Sequence, residues 1–152
     1  MSAYSFLNVQ AALTGPGVTA IIGSSAGSAK EGISAAFNDA KGSVTTGADG
    51  AIMSSLHATQ TGKITIRLLK TSPINAVLSQ AFNFQRQTAS SWGQNVIRVV
   101  DKVRGDVVSL RQCNFVKFPD NEWSEDGNVL AWEFEGILNE NLGVGLPDLV
   151  AA

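Results

Sequence analysis

Apolar and polar residues alternate along much of the chain with a period of two, which is typical of β-strands. The clearest stretch is Lys63–Leu68, in which every second residue is apolar. Such a strand turns one side toward a core and the other toward solvent. Comparable or β-branched segments predict further strands, at Tyr4–Leu13, Val18–Ile22, Ile33–Phe37, Gln94–Val100, Val107–Cys113 and Val129–Ile137. The pattern therefore predicts a mainly β domain.

Two pairs of these strands are separated by segments that favour turns. Thr14–Gly17 contains Gly15-Pro16-Gly17, which joins the first two predicted strands. Asp101–Asp106 precedes Val107–Cys113, which is predicted to be the returning arm of a hairpin. Antiparallel neighbours are therefore expected.

One segment has the period of a helix instead. Ser72 is a capping residue, and Pro73 suits the first helical position because its missing N–H costs nothing there. The apolar residues that follow fall at i, i+3, i+4 and i+7, namely Ile74, Val77, Leu78 and Ala81. We expect a helix that ends near Gln87 and covers one side of the β-structure.

Three segments show neither period. Gly23–Gly32 is small and polar and predicts a flexible loop. Asn38–Ser54 predicts a long loop between two strands, and loops of this length in a compact domain are commonly disordered or used for contact. Residues 138–152 predict an irregular C-terminal tail. With no internal repeat or linker, residues 1–152 are predicted to form a single domain.

Composition adds a first hint of assembly. Only 16% of the 152 residues are charged, against about 25% in ordinary soluble domains, so part of the surface is expected to be covered by other copies. The single cysteine excludes an internal disulfide. Neither a secretory signal nor an apolar run of about 18 residues is present, so a soluble protein made in the cytoplasm is expected.

Charge is distributed unevenly along the chain. Residues 1–62 carry a charge of −1, residues 63–117 carry +7 and residues 118–152 carry −8, which gives the net charge of −2. Strands from the two halves could neutralise each other within one fold. Alternatively, opposite faces of the subunit carry opposite signs, which favours head-to-tail stacking. The acidic net charge argues against nucleic-acid binding by bulk attraction.

Candidate chemistry is sparse. His57 is the only histidine, and a position at the end of a strand is predicted for it rather than a catalytic role. One Cys and one His do not make a metal cluster, and no phosphate-binding loop is present. A group of acids lacks the calcium-loop spacing and predicts a solvated turn, namely Asp120, Glu122, Glu125 and Asp126. No catalytic residue, metal ligand or cofactor is predicted.

The tryptophans and two glutamates are the candidate contact residues. Trp132 lies on the apolar side of its predicted strand and is expected in the core. Trp92 and Trp123 are candidates for contacts between subunits, because aromatic residues are enriched at interfaces. Glu133 and Glu135 share the polar side of the strand, and an exposed polar strand face is a commoner arrangement than an acid/base pair.

A series of short segments identifies a family through its order and spacing, although no single motif is specific. The segments are Tyr4–Gln10, Leu13–Gly17, Glu31–Ile33, Thr46–Gly50, Ser55–Ala58, Leu68–Pro73, Trp92–Asn95 and Trp132–Phe134. Together they resemble the tail tube proteins of contractile-tailed bacteriophages, over roughly residues 4–137.

The resemblance implies a structural protein rather than an enzyme, folded as a β-barrel or sandwich with one flanking helix. Six copies would form a ring, and rings would stack into a hollow tube inside a contractile sheath. The tube would surround the tape-measure protein and later conduct double-stranded DNA without binding it specifically. Baseplate and tail-terminator proteins are further implied partners. The implied location is the virion tail, assembled in the host cytoplasm without membrane insertion.

Two sets of site residues follow from this resemblance. A conduit for DNA should have a neutral or acidic wall, because basic side chains would pair with phosphates, and Glu133 and Glu135 are the candidates to face the lumen. The long loop is expected to reach the next ring. The candidates for contact between rings are Asp39, Lys41, Thr46, Asp49 and Met53.

Three alternatives remain open from the sequence. A secretion-system tube protein would share the fold. A barrel that binds a small ligand would be a monomer with an interior cavity. A nucleic-acid-binding β-barrel is disfavoured by the acidic balance.

Overall fold

The structure, a computed structural model, describes residues 4–23 and 28–143, and strands account for most of them. The strands are β1 (Val9–Gly15), β2 (Val18–Gly23), β3 (Ser28–Phe37), β4 (Gly42–Thr46), β5 (Ile52–Leu56), β6 (Thr61–Leu69), β7 (Asn95–Asp101), β8 (Val107–Lys117) and β9 (Val129–Asn141). One helix, α1 (Ile74–Gln85), joins β6 to β7, and short 3-10 turns lie at Phe6–Asn8 and Ala89–Ser91. The predicted mainly β fold with one helix is confirmed.

Seven strands form one antiparallel sheet in the order β2-β1-β7-β8-β9-β6-β3. Within residues 4–23 and 28–143, β2 and β3 each have a strand on one side only, so the sheet is open. The resemblance implied a β-barrel or sandwich. Within the described residues the sheet does not close into a barrel, since β2 and β3 do not pair and β2 packs against α1. Both outer strands keep a free edge.

Alternating side chains place the core on one side of this sheet. The inward residues of β6 and β9 are buried, and Trp132 and Phe134 are among the largest of them. Leu78 and Ala81 of α1 complete the core from the helix side. The prediction that Trp132 is a core residue is confirmed.

Helix α1 begins and ends close to its predicted limits. The Ser72 hydroxyl accepts a hydrogen bond from the Ile74 N–H at 3.3 Å, which satisfies one of the free donors at the helix start. The helix ends at Gln85, two residues before the predicted Gln87. Gln85 is fully buried and bonded to the sheet, so tertiary contact sets this end.

Several strand limits differ from the predicted ones. The chain before β1 turns at Phe6–Asn8 instead of extending from Tyr4. β3 begins at Ser28, within the segment predicted as a loop, and residues 24–27 of that loop lie outside the described residues. β8 continues to Lys117 and β9 to Asn141 because each pairs with the other along its added length. Most of the predicted tail, 144–152, lies outside the described residues.

The segment Asn38–Ser54, predicted as a loop, contains most of a β-hairpin, and this is a correction. β4 pairs with β5 in antiparallel register from Gly42↔Leu56 to Thr46↔Ile52. At the tip, Gly50 has φ +87°, and the Asp49 carboxylate accepts a bond from the Ala51 N–H at 3.1 Å. Because no residue of β4 or β5 is buried, the alternation that a core imposes is missing from this segment.

Candidate assembly surfaces

The β4–β5 hairpin extends from the domain with both sides uncovered. Residues opposite each other in an antiparallel pair share a side, so Val44, Ile52 and Leu56 lie together on one of them. All three are exposed, and Leu56 has 89% of its surface accessible. Met53 lies on the other side, opposite Thr45. The hairpin therefore has one predominantly apolar side, which we call the apolar hairpin side.

Hydrogen bonds join the two arms at the base of the hairpin. The His57 N–H donates to the Lys41 carbonyl at 2.9 Å. The His57 ring nitrogens lie 3.0 Å from the Ala40 carbonyl and 3.3 Å from the Ser43 hydroxyl. The predicted strand-end position of His57 is confirmed, since it follows β5 directly.

All five candidates for contact between rings lie in or beside this hairpin. Lys41 is engaged within the chain, because its ammonium donates to the Thr59 carbonyl and lies 4.4 Å from the Phe37 ring centroid. Asp49 organises the tip, and Asp39, Thr46 and Met53 are exposed. Thr46 lies on the apolar hairpin side, opposite Ile52. The candidates did not include the apolar residues of that side, which can be grouped only once the register of β4 and β5 is known.

Glu133 and Glu135 lie on the solvent side of β9, opposite the buried Trp132 and Phe134. Their carboxylates have partners: Lys63 Nζ lies 4.0 Å from Glu133 Oε1, and Asn38 Nδ2 donates to Glu135 Oε1 at 2.9 Å. We call the solvent side of β3, β6 and β9 the β9 face.

The β9 face has mixed charge. Cross-strand register also places four basic residues of the neighbouring strands around the two glutamates, namely Lys63 and Arg67 of β6 and Arg111 and Lys117 of β8. The Arg67 guanidinium donates to the Ser34 hydroxyl at 3.3 Å. The sequence identified the acids of this face, whereas the bases come from other strands and needed the sheet order.

The two candidate contact tryptophans have different surroundings. Trp92 is half-buried and packs against other rings of its own chain. Its ring centroid lies 6.1 Å from that of Phe82 and 6.5 Å from that of Phe115. Trp123 is 83% exposed, and Lys70 Nζ lies 4.9 Å from its ring centroid. Trp123 is therefore the more accessible of the two for a partner.

The described residues contain no cluster of metal-binding side chains, and Cys113 is buried. Within residues 4–23 and 28–143, no three His, Cys, Asp or Glu side chains are grouped as metal ligands. Burial raises the pKa of the Cys113 thiol from 9.0 to about 12, so it stays protonated and is a poor nucleophile at neutral pH. None of the helices in the described part of the chain is long and apolar enough to span a membrane.

The comparisons with known proteins place the chain in a class of virion structural proteins, the tail tube proteins. The family model of the bacteriophage PhiTE tail tube protein matches residues 1–143, and the chain belongs to this family. The resemblance inferred from the sequence is thereby confirmed, and the family makes the protein a structural component of the virion tail.

The other comparisons add less. No curated protein matches the sequence. A solved chain in "Cryo-EM structure of the anti-feeding prophage (AFP) baseplate, 6-fold symmetrised" is 15% identical, with 96% of this chain and 99% of that chain covered and a TM-score of 0.45. A likeness at that level carries no further argument.

Proposed function

We propose that the protein forms six-membered rings that stack into the hollow inner tube of a contractile tail. The observation that carries this proposal is the pair of free edges, β2 and β3, at opposite ends of one antiparallel sheet. Unpaired strand edges bind other strands unless they are covered. If β2 of one copy pairs with β3 of the next, a closed ring leaves no edge free.

Stacking of rings is assigned to the hairpin. A two-stranded hairpin without other support is at best marginally stable in water, and this one exposes Val44, Ile52 and Leu56 on a single side. Covering that side with the adjacent ring would stabilise the hairpin and join the rings. Asp39, Lys41, Thr46, Asp49 and Met53 remain the proposed polar and flanking contacts.

The lumen is assigned to the β9 face, with Glu133 and Glu135 in the wall. The pairing of Glu133 with Lys63 supports this assignment, because a base that already has an acidic neighbour attracts phosphates less than a free one. The tape-measure protein, and then DNA during ejection, would pass along this wall without specific binding.

The remaining partners follow from the same proposal. A tail sheath protein would surround the tube, and baseplate and tail-terminator proteins would meet its ends. The subunits would assemble in the host cytoplasm. The match to a phage tail tube family supports this function over a secretion-system tube of the same fold. The open sheet gives no support to the alternative of a closed barrel that encloses a small ligand.

Removal of the hairpin tests the stacking proposal. His57 and Lys41 are joined at its base, so Gly42–Leu56 can be replaced by a short glycine linker without touching the seven-stranded sheet. We expect folded subunits or single rings that do not elongate, seen by electron microscopy and sedimentation. The control is Gln80→Ala, at an exposed position of α1 outside the hairpin. Full-length tubes from the shortened chain would contradict the assigned role.

A further inference from the structure

The solvent side of β2, β1, β7 and β8 is exposed as well, and it adjoins the β9 face where β8 pairs with β9. Register places Ile21, Ala12 and Arg98 in one row across β2, β1 and β7. Ile21 is 61% exposed, and Val96 is exposed two residues before Arg98. Arg111 of β8 lies diagonally from Arg98, two residues beyond its partner Ser109. We call these five residues the arginine face.

The arginine face has no acidic residue of its own. The only acid in the four strands is Asp101, and its side chain is buried and bonded to the following turn. Within the described part of the chain, Arg98 and Arg111 make no ion pair. Diagonal neighbours on adjacent strands lie about 7–8 Å apart, so two like charges lie close together on this surface. The nearest acid in the sheet register is Glu135, which is diagonal to Arg111 and accepts a hydrogen bond from Asn38.

The chemical complement of this face is present elsewhere in the same chain. The segment 120–126, between β8 and β9, carries Trp123 with acids on both sides. Glu122, Glu125 and Asp126 are exposed and make no ion pair with any described residue. Lys70 steadies the segment, because its ammonium contacts the Trp123 ring and donates to the Glu122 carbonyl. Trp123 is left accessible to a partner on its other side.

We propose that the arginine face binds segment 120–126 of a second copy, with Trp123 against Ile21 and Val96 and the acids paired with Arg98 and Arg111. Aromatic anchors in apolar patches and charge-assisted Arg–carboxylate bonds are the usual strong elements of an interface. Because the two surfaces differ, the contact is head-to-tail and can propagate. The proposal rests on the proposed tube assembly and names one of its subunit contacts.

Charge reversal in two steps tests this contact. Arg98→Glu with Arg111→Glu, and separately Glu122→Lys with Glu125→Lys, should each raise the protein concentration needed for assembly by about tenfold or more. A chain that carries all four substitutions should assemble again, since every pair is restored with opposite sign. Lys102→Glu is the matched control, because Lys102 is an exposed base in the β7–β8 turn, outside the arginine face.

The outcomes separate this contact from the proposed function. Thermal unfolding of the subunits shows whether each variant folds. Trp123→Ala should also reduce assembly, and it does so without changing any charge. If the wild-type chain forms tubes and the two reversals also form them normally, the contact is refuted while the tube function stands. If the chain that carries all four substitutions folds but does not assemble, the proposal is likewise refuted. The arginine face then binds another acidic partner. If the wild-type chain forms no tubes, the tube function itself fails.

Discussion

Gln85 of α1 and Asn95 of β7 form a buried polar pair, and their hydrogen bonds join the helix to the sheet. Each side-chain amide donates to the other at 2.7 Å, and Gln85 Nε2 also lies 3.0 Å from the Pro16 carbonyl. Both residues are fully buried. Gly15 is required beside them, because a Cβ there would lie 1.9 Å from Asn95 Oδ1. The pair thus fixes the helix end, the β1–β2 turn and β7 relative to one another.

Gln85→Ala should destabilise the subunit because it leaves the Asn95 amide buried without its partner. The expected loss in the free energy of unfolding is about 1–3 kcal/mol, measured by denaturant titration. Gln80→Ala, at an exposed position on the same helix, should change it by less than about 0.5 kcal/mol. Equal stabilities of the two variants would contradict the role assigned to the pair.

Cys113 predicts a loss of stability at alkaline pH. Burial raises the pKa of its thiol from 9.0 to about 12 in the folded chain, so the folded state holds the proton more firmly than the unfolded state does. This contribution to stability is complete below pH 9.0 and is lost as the pH rises toward 12. Unfolding titrations at pH 8 and pH 10.5 should show a smaller decline for Cys113→Ala than for the wild type. An identical decline would show that the thiol does not titrate in this way.

Single residues could be predicted where the pattern of their own strand determines burial. Trp132 follows the alternation of β9 and lies in the core. Gln85 and Asn95 could not be recognised, because a polar residue that finds a buried partner has the same local pattern as an exposed one. Trp92 was expected at a subunit contact, whereas its packing against Phe82 depends on tertiary structure.

At the scale of elements, local period predicted the helix and most strands and failed where the period is broken. In β8, Gln112 has φ +51°, and the pairing with β9 shifts register between Arg111 and Asn114. This bulge places two consecutive residues in solvent, so the alternation changes phase there, and the continuation of β8 beyond Cys113 was not predicted. In the hairpin, exposure of both sides removes the alternation altogether.

The β9 face predicts the ion selectivity of assembled tubes. Glu133→Gln with Glu135→Gln removes two negative charges and leaves Lys63 without its acidic neighbour, so the excess of basic groups on the wall increases. Conductance through isolated tubes should lose preference for cations and shift toward anions. Glu140→Gln, at an exposed acid outside the β9 face, is the control for a lost acid outside the wall. Unchanged selectivity in the double variant would remove these residues from the lumen.

At the scale of the whole molecule, the open sheet is the feature that explains the need for assembly. β2 and β3 are far apart in the strand order, and each has an unpaired side in the described structure. Sequence patterns predicted strands but not their order, because the order depends on which strands meet in space. The family resemblance supplied the expectation of a ring, and the two free edges give that expectation a physical basis.

Electron cryomicroscopy of the purified, assembled protein tests the central claim most directly. We predict hollow cylinders of six-membered rings in which β2 of each copy is hydrogen-bonded to β3 of its neighbour. A chain that stays monomeric at high concentration would contradict the account, as would rings in which β2 and β3 both remain unpaired.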